Sequence, residues 1–585
     1  MPARIVRRLR LWRREDHLRL ALLALAVGLV VGVAVILFRE AIALLEQVFF
    51  HSGAEDLAGS AALLPMWRLL LVPTLGGLAV GLLVHFTMPG GRPQGVAHVI
   101  EAGALHGGRM RLGTGLSMAV ASALSIGVGA SVGREGPAVH LGGAVSGWLS
   151  GRLGLNRRQA RTLLGCGVAA AVAASFNAPI AGALFAHEVV VGHYALTAFG
   201  PIVIASVAAT ILARLWFGSQ PEYLPPPMEV TSFLEFPAFV GLGLIAGLAA
   251  ILFVRSVTAV EDGWERLRTP YWLRPMFGGL AVGSLALFFP QVLGVGHELT
   301  AQALSGGMAF WLLMALLVAK LLATAASLGS GFGGGVFSPA LALGALLGGA
   351  YGVFATAIFP DLSSGPAAYA FVGMGAMAAA VLGAPISTIL MVYELTGNYA
   401  LSIAVMVACV LASVVMARLH GRSFFHLQLA RRGLDLLRGQ ETRLLCSIPV
   451  GYVMKPCAPV APDTALPELR ERLRHVPYAE LFVTTETGRL TGCITHADLP
   501  DQDGDAVADA IARPNPPVVA ATDHLGQALN LMLSTGEEHL AVIDSHETRR
   551  LVGCIHESDV LIAYTRALVR QRAEDRGERH GHSPI

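Results

Sequence analysis

Two matching stretches constrain this chain more than any other feature. Gly167 to Glu188 reads GVAAAVAASFNAPIAGALFAHE, and Gly373 to Glu394 reads GMGAMAAAVLGAPISTILMVYE. In both, a glycine is followed twelve positions later by proline and nine positions after that by glutamate. Ala-Pro-Ile recurs without a gap (Ala178, Pro179, Ile180; Ala384, Pro385, Ile386). Upstream, GREGPAVHLGG at Gly133 matches GVFSPALALGA at Gly335. Such a repeat predicts two related halves. Halves built from apolar segments broken by Gly and Pro point to a transporter. There, interrupted helices end near the bilayer midplane and offer unpaired N–H groups and a partial positive charge, a ready site for an anion.

The composition agrees with a membrane location. Only 14% of the 585 residues are charged, and the mean hydropathy is +0.61. Leu20 to Phe38 is uncharged and long enough to span. Leu69 to Val84, Pro275 to Phe289 and Leu401 to Met416 are shorter and must tilt, break or sit within a bundle. The first apolar run follows RIVRRLRLWRRE. It is too long for the core of a secretory signal and has no clear cleavage site after it. We read a retained helix with a cytoplasmic N-terminus. The net charge of +2 says little about partners; no nucleic acid is expected.

Near residue 420 the composition becomes that of a soluble protein. ELFVTTETGRLTGCITHADL (Glu480 to Leu499) resembles EHLAVIDSHETRRLVGCIHESDV (Glu538 to Val560). Each reads as strand, turn, strand and a helix start at Thr495 or His556, with a helical stretch before it. Four of the six cysteines lie in this half and none forms a CxxC pair, which predicts reduced thiols in the cytoplasm. The ending, RQRAEDRGERHGHSPI, is polar and expected to be disordered.

Three segments of the apolar half resemble the CLC family of chloride channels and chloride/proton antiporters. They are GREGP (Gly133 to Pro137), FNAPIAGALFAHE (Phe176 to Glu188) and the long KLLATAASLGSGFGGGVFSP (Lys320 to Pro339). The soluble repeats look like a pair of CBS modules, which many members of that family carry. The resemblance implies an all-α membrane domain of broken helices in an inverted repeat over residues 1–435. An α/β CBS pair at 446–566 and a polar tail at 567–585 follow. It further implies a homodimer with one pore per subunit, passing chloride or a similar small anion across the plasma membrane, the inner membrane in a bacterium. The N-terminus and the CBS pair are expected in the cytoplasm.

Site residues follow from the same resemblance. Glu135 corresponds to the family's external gate, a carboxylate at a helix start that competes with the anion for N–H donors. Arg134 and Gly136 flank it. Val336 and Phe337 match a second anion-facing segment whose glycines leave the backbone bare. Departures matter as much. Where the family has GSGIP, this chain reads PQGVA, so Gln94 replaces the central serine, beside Gly95. An amide can still donate. Where the family has a tyrosine, SFFHLQL places Phe425, which cannot. Where exchangers often carry an inner glutamate, this chain has Val189. That leans towards passive conduction in the manner of a voltage-gated chloride channel. A proton-coupled antiporter is the alternative, with Glu135, His187 and Glu188 as candidate proton carriers. Glu188 also has a purely structural reading, since Glu394 is its repeat mate.

The CBS resemblance implies adenine nucleotide (ATP) binding at Thr495, Asp498 and Asp559, or a pair that only couples subunits. No catalytic residue, metal or obligatory cofactor is expected. A CBS-linked intramembrane zinc protease is a distant alternative. HEVVVGH spaces its histidines six apart, whereas the zinc motif needs four.

Overall fold

The computed structural model of the chain describes residues 2–51, 57–192, 196–223, 226, 230–397, 400–434, 445–446, 448–457, 459–476, 480–500 and 506–575. His193 of HEVVVGH and the tail beyond Asp575 lie outside the described residues. The chain falls into two compact units, Met1–Leu429 and Ala430–Ile585.

The first unit is helical. Its first half contains α1 (Pro2–Phe50), α2 (Leu57–Ala62), α3 (Met66–Thr87), α4 (Val96–Ala104), α5 (Leu112–Gly127), α6 (Glu135–Arg152), α7 (Arg157–Phe176), α8 (Pro179–Phe185) and α9 (Leu196–Phe217). The second contains α10 (Phe236–Arg266), α11 (Arg274–Ala286), α12 (His297–Leu304), α13 (Phe310–Ser330), α14 (Phe337–Ile358), α15 (Pro366–Leu382), α16 (Pro385–Thr396), α17 (Ser402–Leu419) and α18 (Phe424–Arg431). Among the described residues, eight helical spans are long and apolar enough to cross a membrane.

The repeat governs how these helices meet. Its two copies, α7 and α15, are buried almost all round, as Ala- and Gly-rich helices in a core should be. Gly142 of α6 packs on the carbonyl of Gly167, and Gly344 of α14 packs on that of Gly373, where a Cβ would collide with backbone in either half. Helix α7 ends at Asn177 and α15 at Gly383, both left-handed (φ 56° and 70°). Pro179 and Pro385 then open the next helix at its first position, where a missing N–H costs nothing.

The carboxylates that close each copy cap the opposite one. Glu188 accepts from the backbone of Ile386 (3.1 Å) and Ser387 (2.8 Å) and from Ser387 Oγ (2.8 Å). Glu394 accepts from the backbone of Ile180 (3.0 Å) and Ala181 (2.7 Å). Each glutamate thus satisfies the orphan donors at the other half's broken helix.

In the second unit each repeat builds a small sheet. The first orders β1 (Pro459–Val460), β2 (Glu480–Thr484), β3 (Leu490–Thr495) and β4 (Arg513–Pro514), with α19 (Leu466–His475) and α20 (Ala508–Ile511). The second orders β5 (Val518–Ala520), β6 (His539–Ile543) and β7 (Leu551–His556), with α21 (Leu525–Thr535) and α22 (Glu557–Asp575). In both, a parallel pair precedes an antiparallel hairpin, β1–β2–β3 and β5–β6–β7. The expected helix at Thr495 is only a single 3₁₀ turn, His496–Asp498, capped by Thr495. In the second repeat the helix opens at Glu557.

Candidate anion pathway

GREGP and GVFSP meet at the centre of the membrane unit. Gly133 N donates to Gly335 O and Gly335 N to Gly133 O, both at 2.7 Å, an antiparallel bridge between repeat mates. This brings the N-termini of α6 and α14 together. Helix α6 begins at Glu135 itself, which is buried and lies in the first turn.

The Glu135 carboxylate reaches across the repeat boundary. Ser338 Oγ donates to Glu135 Oε1 at 2.5 Å, and the backbone N–H groups of Glu135 and Ser338 lie within reach. Oε2 is buried without a hydrogen-bond partner among the described residues and packs on Gly133. Arg134 is no more than a distant neighbour, its Nε 3.7 Å from Oε1. The guanidinium instead gives its short contact, 2.5 Å, to Glu222, which also lies 3.6 Å from His297 Nδ1. A polar cavity of about 400 Å³ borders this group, lined in part by Arg39, Glu46, Arg134, Glu222 and His297. Sequence reading missed Ser338 and Glu222 as partners.

Gly136 packs against Gly335, and Val336 and Phe337 are buried at the start of α14. The Phe337 ring lies 4.8 Å from that of Phe176 and 6.3 Å from that of Phe185. Gly95 N–H, expected to face an anion, donates to His98 Nδ1 at 3.1 Å within its own turn. Gln94 Oε1 lies 3.1 Å from His140 Nε2, on α6 one and a half turns beyond Glu135. A carbonyl oxygen only accepts, so the ring donates from Nε2 and leaves buried Nδ1 bare. The opposite amide orientation would bury an unpaired N–H, the costlier outcome. Gln94 therefore keeps both amide N–H groups for other partners. Phe425 is buried and brings no hydroxyl.

Val189 and His187 are buried in a π-helical stretch, Ala186–Val191, with the His187 ring 5.6 Å from Phe199.

In the second unit Asp498 Oδ2 accepts from Thr495 N (2.8 Å), Thr495 Oγ1 (2.7 Å) and Arg513 Nε (3.1 Å). Those donors hold its carboxyl below the usual range against the burial that opposes it. Asp559 is buried and pairs with Lys455 Nζ at 2.7 Å. Thr495 and Asp498 are therefore together, and Asp559 occupies the other repeat. Between the repeats His539 Nδ1 meets Glu480 at 2.9 Å. Burial opposes charge on that ring, but hydrogen bonds to Cys554 and Glu480 outweigh it and hold the imidazole up to about 9.

Comparison with known proteins decides the family. Residues 76–417 match the family described as voltage gated chloride channel, and residues 507–566 match the CBS domain. The chain belongs to the voltage gated chloride channel family. Among its relatives is a putative ClcB-like chloride channel protein of Ralstonia nicotianae, 37% identical over 418 residues, 70% of this chain and 97% of the relative. The voltage-gated ClC-type chloride channel ClcB of Escherichia coli is 34% identical over 419 residues, 71% of this chain and 99% of the relative. Among solved structures, a slow cyanobacterial Cl⁻/H⁺ antiporter superposes with a TM-score of 0.64 at 26% identity, over 72% of this chain and 99% of that one. A CLC-type fluoride/proton antiporter gives 0.59 at 25% identity, over 70% of this chain and 97% of that one. A eukaryotic CLC transporter, at 19% identity, shares the fold over 93% of this chain and 98% of its own, with a TM-score of 0.62. This family member is thus a multi-pass membrane protein of anion transport with a CBS region, and its family is one of transporters and channels, not enzymes.

Proposed function

We propose that this protein conducts chloride or a similar small anion through a gate formed by Glu135, as a channel with little or no proton coupling. The observation that carries the reading is the position of the Glu135 carboxylate. It is buried where the N-termini of α6 and α14 converge, on Ser338 Oγ, with one oxygen unpartnered. Helix N-termini favour negative charge, so an anion and this carboxylate compete for the same donors. When the side chain swings away, the donors are released to the anion.

Val189 supports weak coupling, because it cannot carry a proton. Glu188 supports it too, because three donors hold its carboxylate as a cap. The rival is exchange with protons, favoured by the two proton-coupled antiporters that share this fold. Purified protein in liposomes separates the two. A chloride gradient drives uphill proton movement in an exchanger and none in a channel.

The remaining elements of the reading are a homodimer with a pore in each subunit, sited in the plasma membrane, the inner membrane of a bacterium. The N-terminus and CBS pair face the cytoplasm, and the pair binds an adenine nucleotide near Thr495, Asp498 and Asp559, with Lys455 as a nearby cation.

A further inference from the structure

We propose that a shallow cavity where α5 begins and α6 ends binds the phosphate headgroup of an anionic phospholipid. The cavity holds about 410 Å³ and is lined by Arg109, Arg111, Trp148 and Arg152, with Gly113 and Gly151 at its edge. Four observations converge on it.

The first is charge. From residue 102 to 187 the chain contains one carboxylate, Glu135, and seven arginines. Glu135 belongs to the gate at the far ends of α5 and α6. Among the described residues the guanidinium groups of Arg109, Arg111 and Arg152 have no acidic partner. Three neighbouring cations without a counter-charge make a site for a phosphodiester, which takes the planar donor fork of arginine bidentately.

The second is the aromatic wall. Arg152 lies over the Trp148 ring, 5.4 Å from its centroid, and the indole is 40% exposed. Tryptophan and arginine together are the pair expected at headgroup depth, and basic loops of this kind lie on the cytoplasmic side.

The third is access. A Cβ at Gly113 or Gly151 would meet no atom within 4 Å, so the backbone at the rim is open to a bulky headgroup.

The fourth separates a lipid from free phosphate. Gly113, Leu116 and Val120 follow one another at i, i+3 and i+7 on α5, so they share one face of the helix. Leu116 and Val120 are exposed, at 51% and 58%. The charged cavity therefore continues onto an apolar stripe along a membrane helix, which suits an acyl chain and offers nothing to an inorganic ion.

The site also has a place in the pathway. Helix α5 runs from the cavity to the segment before GREGP, and α6 runs back from Glu135 to the cavity. A headgroup held there clamps the ends remote from the gate of the two helices that carry it. This consequence rests on the gating reading; the binding itself does not.

The test is native mass spectrometry of the full chain in detergent, titrated with phosphatidylglycerol. The expected result is a retained lipid adduct that the triple variant Arg109→Gln/Arg111→Gln/Arg152→Gln weakens on the order of a hundredfold. An equal-charge control, Arg255→Gln/Arg266→Gln/Arg418→Gln, should bind as the parent does. Leu116→Ser, a milder change, should weaken phosphatidylglycerol without affecting glycerol phosphate. Equal loss in the control would overturn the site in favour of general surface charge. Glycerol phosphate or inorganic phosphate binding as tightly as the lipid would overturn it in favour of a free anion. Unchanged lipid binding in the triple variant would overturn it outright. Channel activity enters none of these outcomes, so a failure of the gating reading leaves them distinct.

Discussion

At the residue scale the proposed gate is a single carboxylate. Glu135 sits where two helix N-termini converge, and its neighbours Ser338 and Gly133 come from both halves of the molecule. Replacement by glutamine removes the charge while keeping the shape. Glu135→Gln should therefore make anion flux nearly independent of external pH, and chloride efflux from liposomes measured across a pH series checks this. A second residue-scale expectation concerns Gln94. His140 fixes its carbonyl, leaving both amide N–H groups for other partners. His140→Leu removes that restraint and should shift the ratio of nitrate to chloride flux, whereas His140→Gln, which can still donate, should restore it. A ratio unchanged in His140→Leu would show that the pair is only packing. In the CBS pair, His539 is held up to about 9 by Cys554 and Glu480 despite burial. Its folded value is raised above the ordinary value of about 6.5. The stability contributed by the charged His539 is thus fully present below that ordinary value and lost as pH rises through about 9. Glu480→Gln should flatten this dependence and cost about 2 kcal/mol at pH 6, read from thermal unfolding of the full chain across pH.

At the level of elements, the broken helices are the device, and much of it was legible. The twelve-residue and nine-residue spacings located α7, α8, α15 and α16, because Gly, Pro and Ala-rich runs leave few other structures open. The alignment of Gly133 with Gly335 placed the two segments that do form a bridge. What escaped was pairing across long separations. Ser338 reaches Glu135 from 203 positions away and Glu222 reaches Arg134 from 88. No local pattern marks Glu222, a lone acid between Pro221 and Tyr223. The role of Gly95 also escaped, because its N–H closes a local turn with His98. The reciprocal caps are a case in which repeat position carried structural meaning that chemistry alone did not. Glu188→Ala and Glu394→Ala should each destabilise the membrane domain by about 2 kcal/mol. Similar losses in thermal unfolding for the two variants would reflect their matched roles, and a selective loss of flux in Glu188→Ala at full stability would contradict them.

The whole molecule joins a membrane unit of an anion-transport family to a CBS region, and the two bacterial relatives named above match 70% and 71% of this chain over 97% and 99% of their own length. If that region senses nucleotide, ATP should release heat on titration into the full chain, and Asp559→Ala should reduce it by removing the carboxylate proposed to meet the nucleotide. No heat with any adenine nucleotide would leave the pair as a structural coupler. The central claim, however, is a gate without a proton relay: Glu135 buried at the N-termini of α6 and α14, Val189 where an inner acceptor would stand, and Glu188 committed to a cap. One measurement meets it directly. Liposomes containing the purified protein, with membrane voltage clamped by a potassium ionophore, are given a chloride gradient while internal pH is recorded. The account predicts chloride movement with no uphill proton flux; a reproducible uphill proton current that disappears in Glu135→Gln would contradict it.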